Sequence, residues 1–337
     1  MINPAYGDLA QNYLLKRHDT ALKTGIARLT QELTGGTRQD IGAAVRGDYR
    51  TLAGIERTIT QLTAMNTAAS EAALRASATQ SVLGTLKDLA SGNAVTLMTA
   101  VSSANPAMID AATSDSRERL FSAVSALNTD IAGRHLLSGT RSDVPPLTSG
   151  EAILTALQGA VAGAATVSDA LSAIDDWFDA PQGGGGFLDQ AYRGSDTAVG
   201  HAPVLQTGMN DGLTAADPAI RAALRGLAVA ALVSEGLFSG DAAARASLAQ
   251  AAGERSIASS DGLTALQGKT GAAEAAIAAL STRNAAEISG LELARAGIVA
   301  ADPYETATEL EAAQTRLETL YTITARLSRL SFADYMS

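Results

Sequence analysis

Between Asp302 and Phe332 the apolar residues recur at alternating three- and four-residue steps, and the stripe they draw is too narrow to form a core by itself. Leu310, Ala313, Leu317, Leu320, Thr324, Leu327 and Ser331 lie along it, with Tyr321 and Leu330 at its flanks. This spacing predicts one helix with a coiled-coil seam. Asp302 is placed to cap the first free amides, Pro303 suits the first helical position, and Glu305 stands where a capping-box partner belongs. Glu305, Glu309 and Glu311 fall in the early turns and Arg326 and Arg329 near the end, as the helix dipole favours. At about 1.5 Å per residue, residues 304–332 reach about 44 Å. A helix this long with only a seam to bury predicts an assembly element that needs a partner.

A second seam lies near the other end of the sequence. Leu15, Leu22 and Leu29 repeat every seven residues, with Ile26 and Leu33 in the neighbouring row. Residues 1–50 carry a net charge of +2 and residues 302–337 a net charge of −3, so the two ends are expected to pair. His18 and Gly25 fall on the fourth-position row of this seam, and Asn284 lies in a sevenfold row with Ile277, Leu291 and Ile298. For His18 and Asn284 two roles stand open: a tolerated polar side chain, or a residue that fixes register between neighbours.

Between the seams, Leu52, Ile55, Ile59 and Leu62 open a long helix that continues to Gly92. A helix after Asn105-Pro106 carries Leu120, Val124, Leu127 and Ile131, and Asp217-Pro218 starts another through Ile220, Leu224, Leu227 and Leu232. Gly253, Gly262, Gly268 and Gly271 read as a linker before the last internal helix. Residues 148–214 differ: short helical pieces lead to Pro181-Gln-Gly-Gly-Gly-Gly-Phe187, then to a glycine-punctuated stretch compatible with strands. The expected fold is mainly α. Its N- and C-terminal segments form a long helical bundle or coiled coil, and a small mixed α/β insert sits at the far end. The expected domains are a terminal coiled coil (1–35 with 300–337), a helical core (45–147 with 215–299) and the insert (148–214).

Composition removes several classes of function. The net charge is −10, which opposes a phosphate backbone, so nucleic acid is not an expected partner. There is no cysteine, hence no disulfide, thiolate nucleophile or cysteine zinc site. The longest strongly apolar run, Leu227 to Val233, is far below the roughly 20 residues of a membrane span, so no membrane insertion is expected. Residues 1–8 have neither a basic start nor an apolar stretch, and no cleaved signal peptide is expected.

Candidate chemistry is sparse. His18, His135 and His201 lie in three different segments and predict no metal site. Asp175, Asp176 and Asp179 flank Trp177, but acids facing water around a small aromatic core of Trp177 and Phe178 explain them without catalysis. Gly183 to Gly186 lacks a following Lys and Ser or Thr, so it reads as a flexible tip rather than a phosphate loop. No nucleophile, base and orienter share a recognisable spacing. The expectation is no enzyme activity and no cofactor, with an alanine-rich secreted enzyme as the weaker alternative.

Three stretches carry a family resemblance. Glu305-Thr-Ala-Thr-Glu-Leu-Glu-Ala-Ala-Gln-Thr-Arg-Leu-Glu318, with the ending Leu330-Ser-Phe-Ala-Asp-Tyr335, resembles the carboxy-terminal helix of the flagellin family. Leu29-Thr-Gln-Glu-Leu-Thr-Gly-Gly-Thr-Arg38 is similar to the end of that family's first helix, although Gln39-Asp40-Ile-Gly replaces the usual Asp-Asp-Pro. Gly133-Arg-His-Leu-Leu-Ser-Gly-Thr-Arg-Ser-Asp-Val-Pro-Pro-Leu147 resembles the segment of the family's hook–filament junction branch, with His135 and Leu137 in place of aromatics. The resemblance implies a structural subunit of the bacterial flagellum that assembles with itself into a ring or tube. It further implies neighbours among the hook-associated proteins and flagellin, an export chaperone and the type III export apparatus, and an extracellular location. Filament flagellin is the near alternative. Leu15, Leu22, Ile26, Leu29, Leu33, Leu310, Leu317, Leu320, Leu327 and Leu330 would then form the assembly interface.

Overall fold

A computed structural model describes residues 4–200 and 212–336, which are mainly helical. In chain order the elements are α1 (Pro4–Gly35), α2 (Ile41–Ala44), α3 (Arg50–Ser102), α4 (Pro106–Leu127), the strands β1 (Asp130–Ile131) and β2 (Arg134–His135), α5 (Gly150–Val161), α6 (Val167–Asp179), α7 (Phe187–Gln190), α8 (Pro218–Ser234), α9 (Ala242–Val299) and α10 (Pro303–Met336). His201 and residues 201–211 of the stretch expected to be compatible with strands lie outside the described residues.

The starts of these helices follow from short polar side chains. Asn105, Ser149 and Asp217 each accept a backbone N–H of the first turn. Thr166 and Asp169 form a complete capping box, and Asp241 accepts from Ala243 and Ala244 at 3.0 Å. Each bond satisfies an amide that the helix itself leaves without a partner.

Two compact units divide the chain: Met1–Ala64 with Asn284–Ser337, and Met65–Arg283. The division falls inside α3 and α9, not at the connectors near residues 35 and 300. In the larger unit, α4 packs along α8, while α5 and α6 cover α8. One continuous core runs through Leu83, Leu120, Leu127, Leu157, Ile174 and Leu227.

The segment after Thr148 is part of that core rather than a mixed insert with its own. Trp177, Phe178 and Phe187 meet one another at centroid distances of 5.0 to 5.8 Å and belong to the same apolar cluster as Leu224 and Leu227. Among its described residues this segment is helical and irregular, with a single bridge from Leu147 to Tyr192. The glycine run is also ordered. Asp189 accepts from the N–H groups of Gly183 at 2.9 Å and Gly185 at 2.7 Å, which folds the loop around its own carboxylate. Positive φ at both glycines makes this turn possible.

The expected linker within residues 253–271 is instead uninterrupted helix α9. Its glycines are points of close approach. A Cβ at Gly253 would lie 3.1 Å from Met98 Sδ, and one at Gly262 would lie 2.9 Å from the Ala219 Cβ. Across from them, Gly226 of α8 leaves room for the backbone of Ser256, which a Cβ would meet at 2.9 Å. Helix propensity disfavours glycine by about 1 kcal/mol, and packing at these contacts outweighs it.

The segment Gly133–Leu147, at whose end the domain boundary was expected, is tied into the same unit. Asn128 clasps its far end, donating from Nδ2 to the Leu147 carbonyl and accepting the Leu147 N–H at Oδ1. The Pro146 carbonyl accepts from Arg193 N and Thr148 N donates to Ala191 O. The strands sit at residues 130–135, one step before the Leu136-Leu137 pair, and turn at Ala132 and Gly133, both with positive φ. A buried polar group closes the core: Asn93 donates to Ser256 Oγ at 3.0 Å and accepts from Ser116 Oγ, so α3, α4 and α9 are joined by hydrogen bonds.

Candidate assembly surface

Helices α1 and α10 pack side by side in the smaller unit. The pairing is antiparallel: Arg38, just past α1, meets Glu305 at the start of α10, while Lys23, three turns earlier on α1, meets Tyr321 well along α10. A short clamp fixes the shared end. Thr37 and Ala300 form an antiparallel bridge, Arg38 N donates to Val299 O at 2.8 Å and Ala301 N donates to Gly36 O at 3.0 Å. Gly36 takes φ +66, a conformation that favours glycine.

The Asp302 cap forms, accepting from Tyr304 N at 2.8 Å and Glu305 N at 3.1 Å. Glu305 does not return to the cap; its carboxylate accepts from Arg38 at 3.3 Å. The expected capping box is therefore half made, because an arginine from the connector offers the stronger, charged donor.

On α10, Leu310, Ala313, Leu317 and Leu320 are half-buried on one stripe, and Thr306 is buried at its start. On α1, Leu15, Leu22 and Ile26 are half-buried and Leu29 is buried, whereas Leu33 is exposed. Leu327 and Leu330 belong to α10, but their side chains lie outside the described residues. His18 is exposed, and the polar position in the seam is taken by Asp19 one residue on. Asp19 accepts from Lys23 at 3.0 Å, and Lys23 lies over the Tyr321 ring at 5.6 Å from its centroid. The Lys23 bond holds the Asp19 carboxyl below its usual range, and Tyr321 followed by Asp19 raises the Lys23 ammonium above its own. Spacing alone could not choose between His18 and Asp19. The one signal was the (i, i+4) pair of Asp19 with Lys23.

Glu32 was not singled out by the leucine repeat, yet it is buried. Its Oε1 accepts from Arg28 at 2.8 Å and from Gln39 N at 2.9 Å, so a charged bond holds the connector that follows α1. Asn284 is buried with its Nδ2 donor unpaired among the described residues.

The seam buries little. Leu29, Leu52, Leu62 and Ala301 are the buried apolar side chains among the described residues of this unit. Large apolar groups remain outside: Tyr13, Leu14, Leu293, Tyr304, Tyr321 and Ile323 are all exposed. A shallow groove lined by His18, Leu22, Thr315, Thr319, Leu320 and Ile323 runs beside the seam.

The remaining candidates are engaged in structure. His135 donates from Nδ1 to the Asn128 carbonyl at 2.8 Å. Asp175 accepts from Arg255 at 2.8 Å and Arg225 at 3.3 Å, and Asp179 also pairs with Arg225, so these acids tie α6 to α8 and α9. Among the described residues no three metal-ligating side chains gather, and no helix is long and apolar enough to cross a membrane. No family model, curated protein or solved structure matches the chain.

Proposed function

We propose that this chain is a structural subunit of the bacterial flagellum, a hook–filament junction protein that polymerises into a ring through its paired terminal helices and adapts hook to filament. The observation that carries the reading is the thin seam between α1 and α10. It orders two long helices with half-buried leucines while leaving Tyr13, Leu14, Tyr304 and Ile323 in water. Fully burying such a side chain contributes about 1.5–3 kcal/mol, so neighbouring copies that covered this surface would gain much of what the isolated pair lacks. In this reading the paired ends are one part of a longer bundle that adjacent subunits complete.

The same reading expects a hook-associated protein on one side, flagellin on the other, and passage through the type III export apparatus with a chaperone. The Gly133–Leu147 segment favours the junction role over filament flagellin, because that segment carries the junction-type resemblance. Labelled microscopy of detached flagella tests it. A single band at the end of the hook is the expected result. Label along the whole filament would assign flagellin, and absence from purified flagella would overturn the reading.

A further inference from the structure

A cleft of about 460 Å³ opens in the larger unit between α3 and the 130–142 segment, within the range of ligand pockets. Its walls mix Leu74, Ile131 and Leu136 with Arg75, Arg134 and His135. Arg75 is half-buried, yet its guanidinium has no hydrogen bond or ion pair among the described residues. Arg134 donates to Ser142 Oγ at 3.2 Å and has no carboxylate partner among them. Glu71 lines the exposed rim without an ion pair to either arginine. Burial, and then the charge of Arg134, lower the Arg75 pKa.

Two like charges in one half-apolar cleft are unfavourable unless an anion joins them. Elsewhere in this unit arginines find acids: Arg225 and Arg255 share Asp175, Arg245 meets Asp110 and Arg117 meets Glu235. Arg75 is the exception among residues of comparable burial. A guanidinium fork suits a planar oxyanion, and the leucine and isoleucine walls suit a short hydrocarbon attached to it. We infer that the cleft between α3 and the 130–142 segment binds a carboxylate on a short apolar stem, held by Arg75 and Arg134. The carboxylate could belong to a free small acid or to an Asp or Glu of a second copy of this chain. This site is independent of the seam between α1 and α10.

Calorimetric titration of the full chain with hexanoate at low ionic strength tests the assignment, with inorganic phosphate as the comparison. Saturable hexanoate binding, tighter than phosphate and weakened by salt, is expected. Arg75→Gln and Arg134→Gln should each weaken it at least about tenfold, the loss of one charged fork, while Arg57→Gln, an exposed arginine earlier on α3, should not. The melting temperature of Arg75→Gln should hold or rise, since a repulsion is removed; a fall would make Arg75 a structural residue and overturn the proposal. Sedimentation separates the sources. Dimers that dissociate on adding hexanoate or on Arg75→Gln assign the acid to a second copy, and binding by a monomer at all concentrations assigns it to a free ligand. No saturable binding of hexanoate would overturn it.

Discussion

Asn93 uses both ends of its amide inside the core, donating to Ser256 and accepting from Ser116. Removing it leaves the Ser256 hydroxyl buried without that donor, and an orphaned buried polar group costs about 1–3 kcal/mol. Asn93→Ala should therefore lower the unfolding free energy by about 2 kcal/mol in denaturant titration, and an unchanged midpoint would count against the network. Asp189 is a second single residue with a readable consequence. Its carboxylate is held below the usual range by the N–H groups of Gly183 and Gly185. A depressed folded pKa stabilises the fold above the ordinary carboxylate value, and that contribution fades as pH falls through the folded value. The sole tryptophan, Trp177, reports on it, since the Gly186 backbone packs against its carbonyl. An acid titration of Trp177 fluorescence should show a transition that Asp189→Asn removes. The caps at Asn105, Asp217 and Asp302 were legible in the sequence because each acts on its own next turn. The Asp189 loop and the Asn93 network were not, because their partners are chosen by three-dimensional packing.

At the scale of helices, periodicity located the seams well and breaks poorly. Leu15 and Leu22 of α1 and Leu310, Ala313, Leu317 and Leu320 of α10 are half-buried in the pair and Leu29 is buried, whereas Thr324 on the α10 stripe is exposed and Leu33 turns outward as Glu32 takes the buried place. Glycine was misleading in α9, where Gly253 and Gly262 mark contact with neighbouring helices and the chain stays helical. The seam itself can be probed with a charge. Leu317 is half-buried on the stripe, whereas Thr322 is exposed on the other side of α10. A carboxylate at Leu317 would enter an apolar contact without a partner, at a cost of several kcal/mol on full burial. Leu317→Asp should abolish incorporation into the proposed assembly and leave the Trp177 environment of the larger unit unchanged, while Thr322→Asp assembles normally. Equal incorporation of both variants would remove the seam from the assembly argument.

The whole molecule is organised by how unevenly its apolar surface is buried. Among the described residues the smaller unit has few buried apolar side chains, whereas the larger holds one core to which residues 149–192 contribute Ile153, Leu157, Ile174, Trp177, Phe178 and Phe187. Composition suggested that this stretch stands apart, since glycines, a Pro-Pro pair and a local aromatic group normally accompany a separate small domain. The packing contradicts that: α5 and α6 lie on α8, and a Cβ at Gly150 would collide with Phe121 of α4. Replacing residues 149–213 with a short Gly-Ser connector would thus strip a wall from the common core. Each of the six side chains named contributes about 1.5–3 kcal/mol on burial, and a domain has a net stability of only about 5–15 kcal/mol. The shortened chain should lose its cooperative thermal transition by circular dichroism and bind a hydrophobic dye, because Leu127, Leu224 and Leu227 would face water. A sharp transition near that of the intact chain would show instead that α3, α4, α8 and α9 fold without the covering helices, and the single-core description would fail.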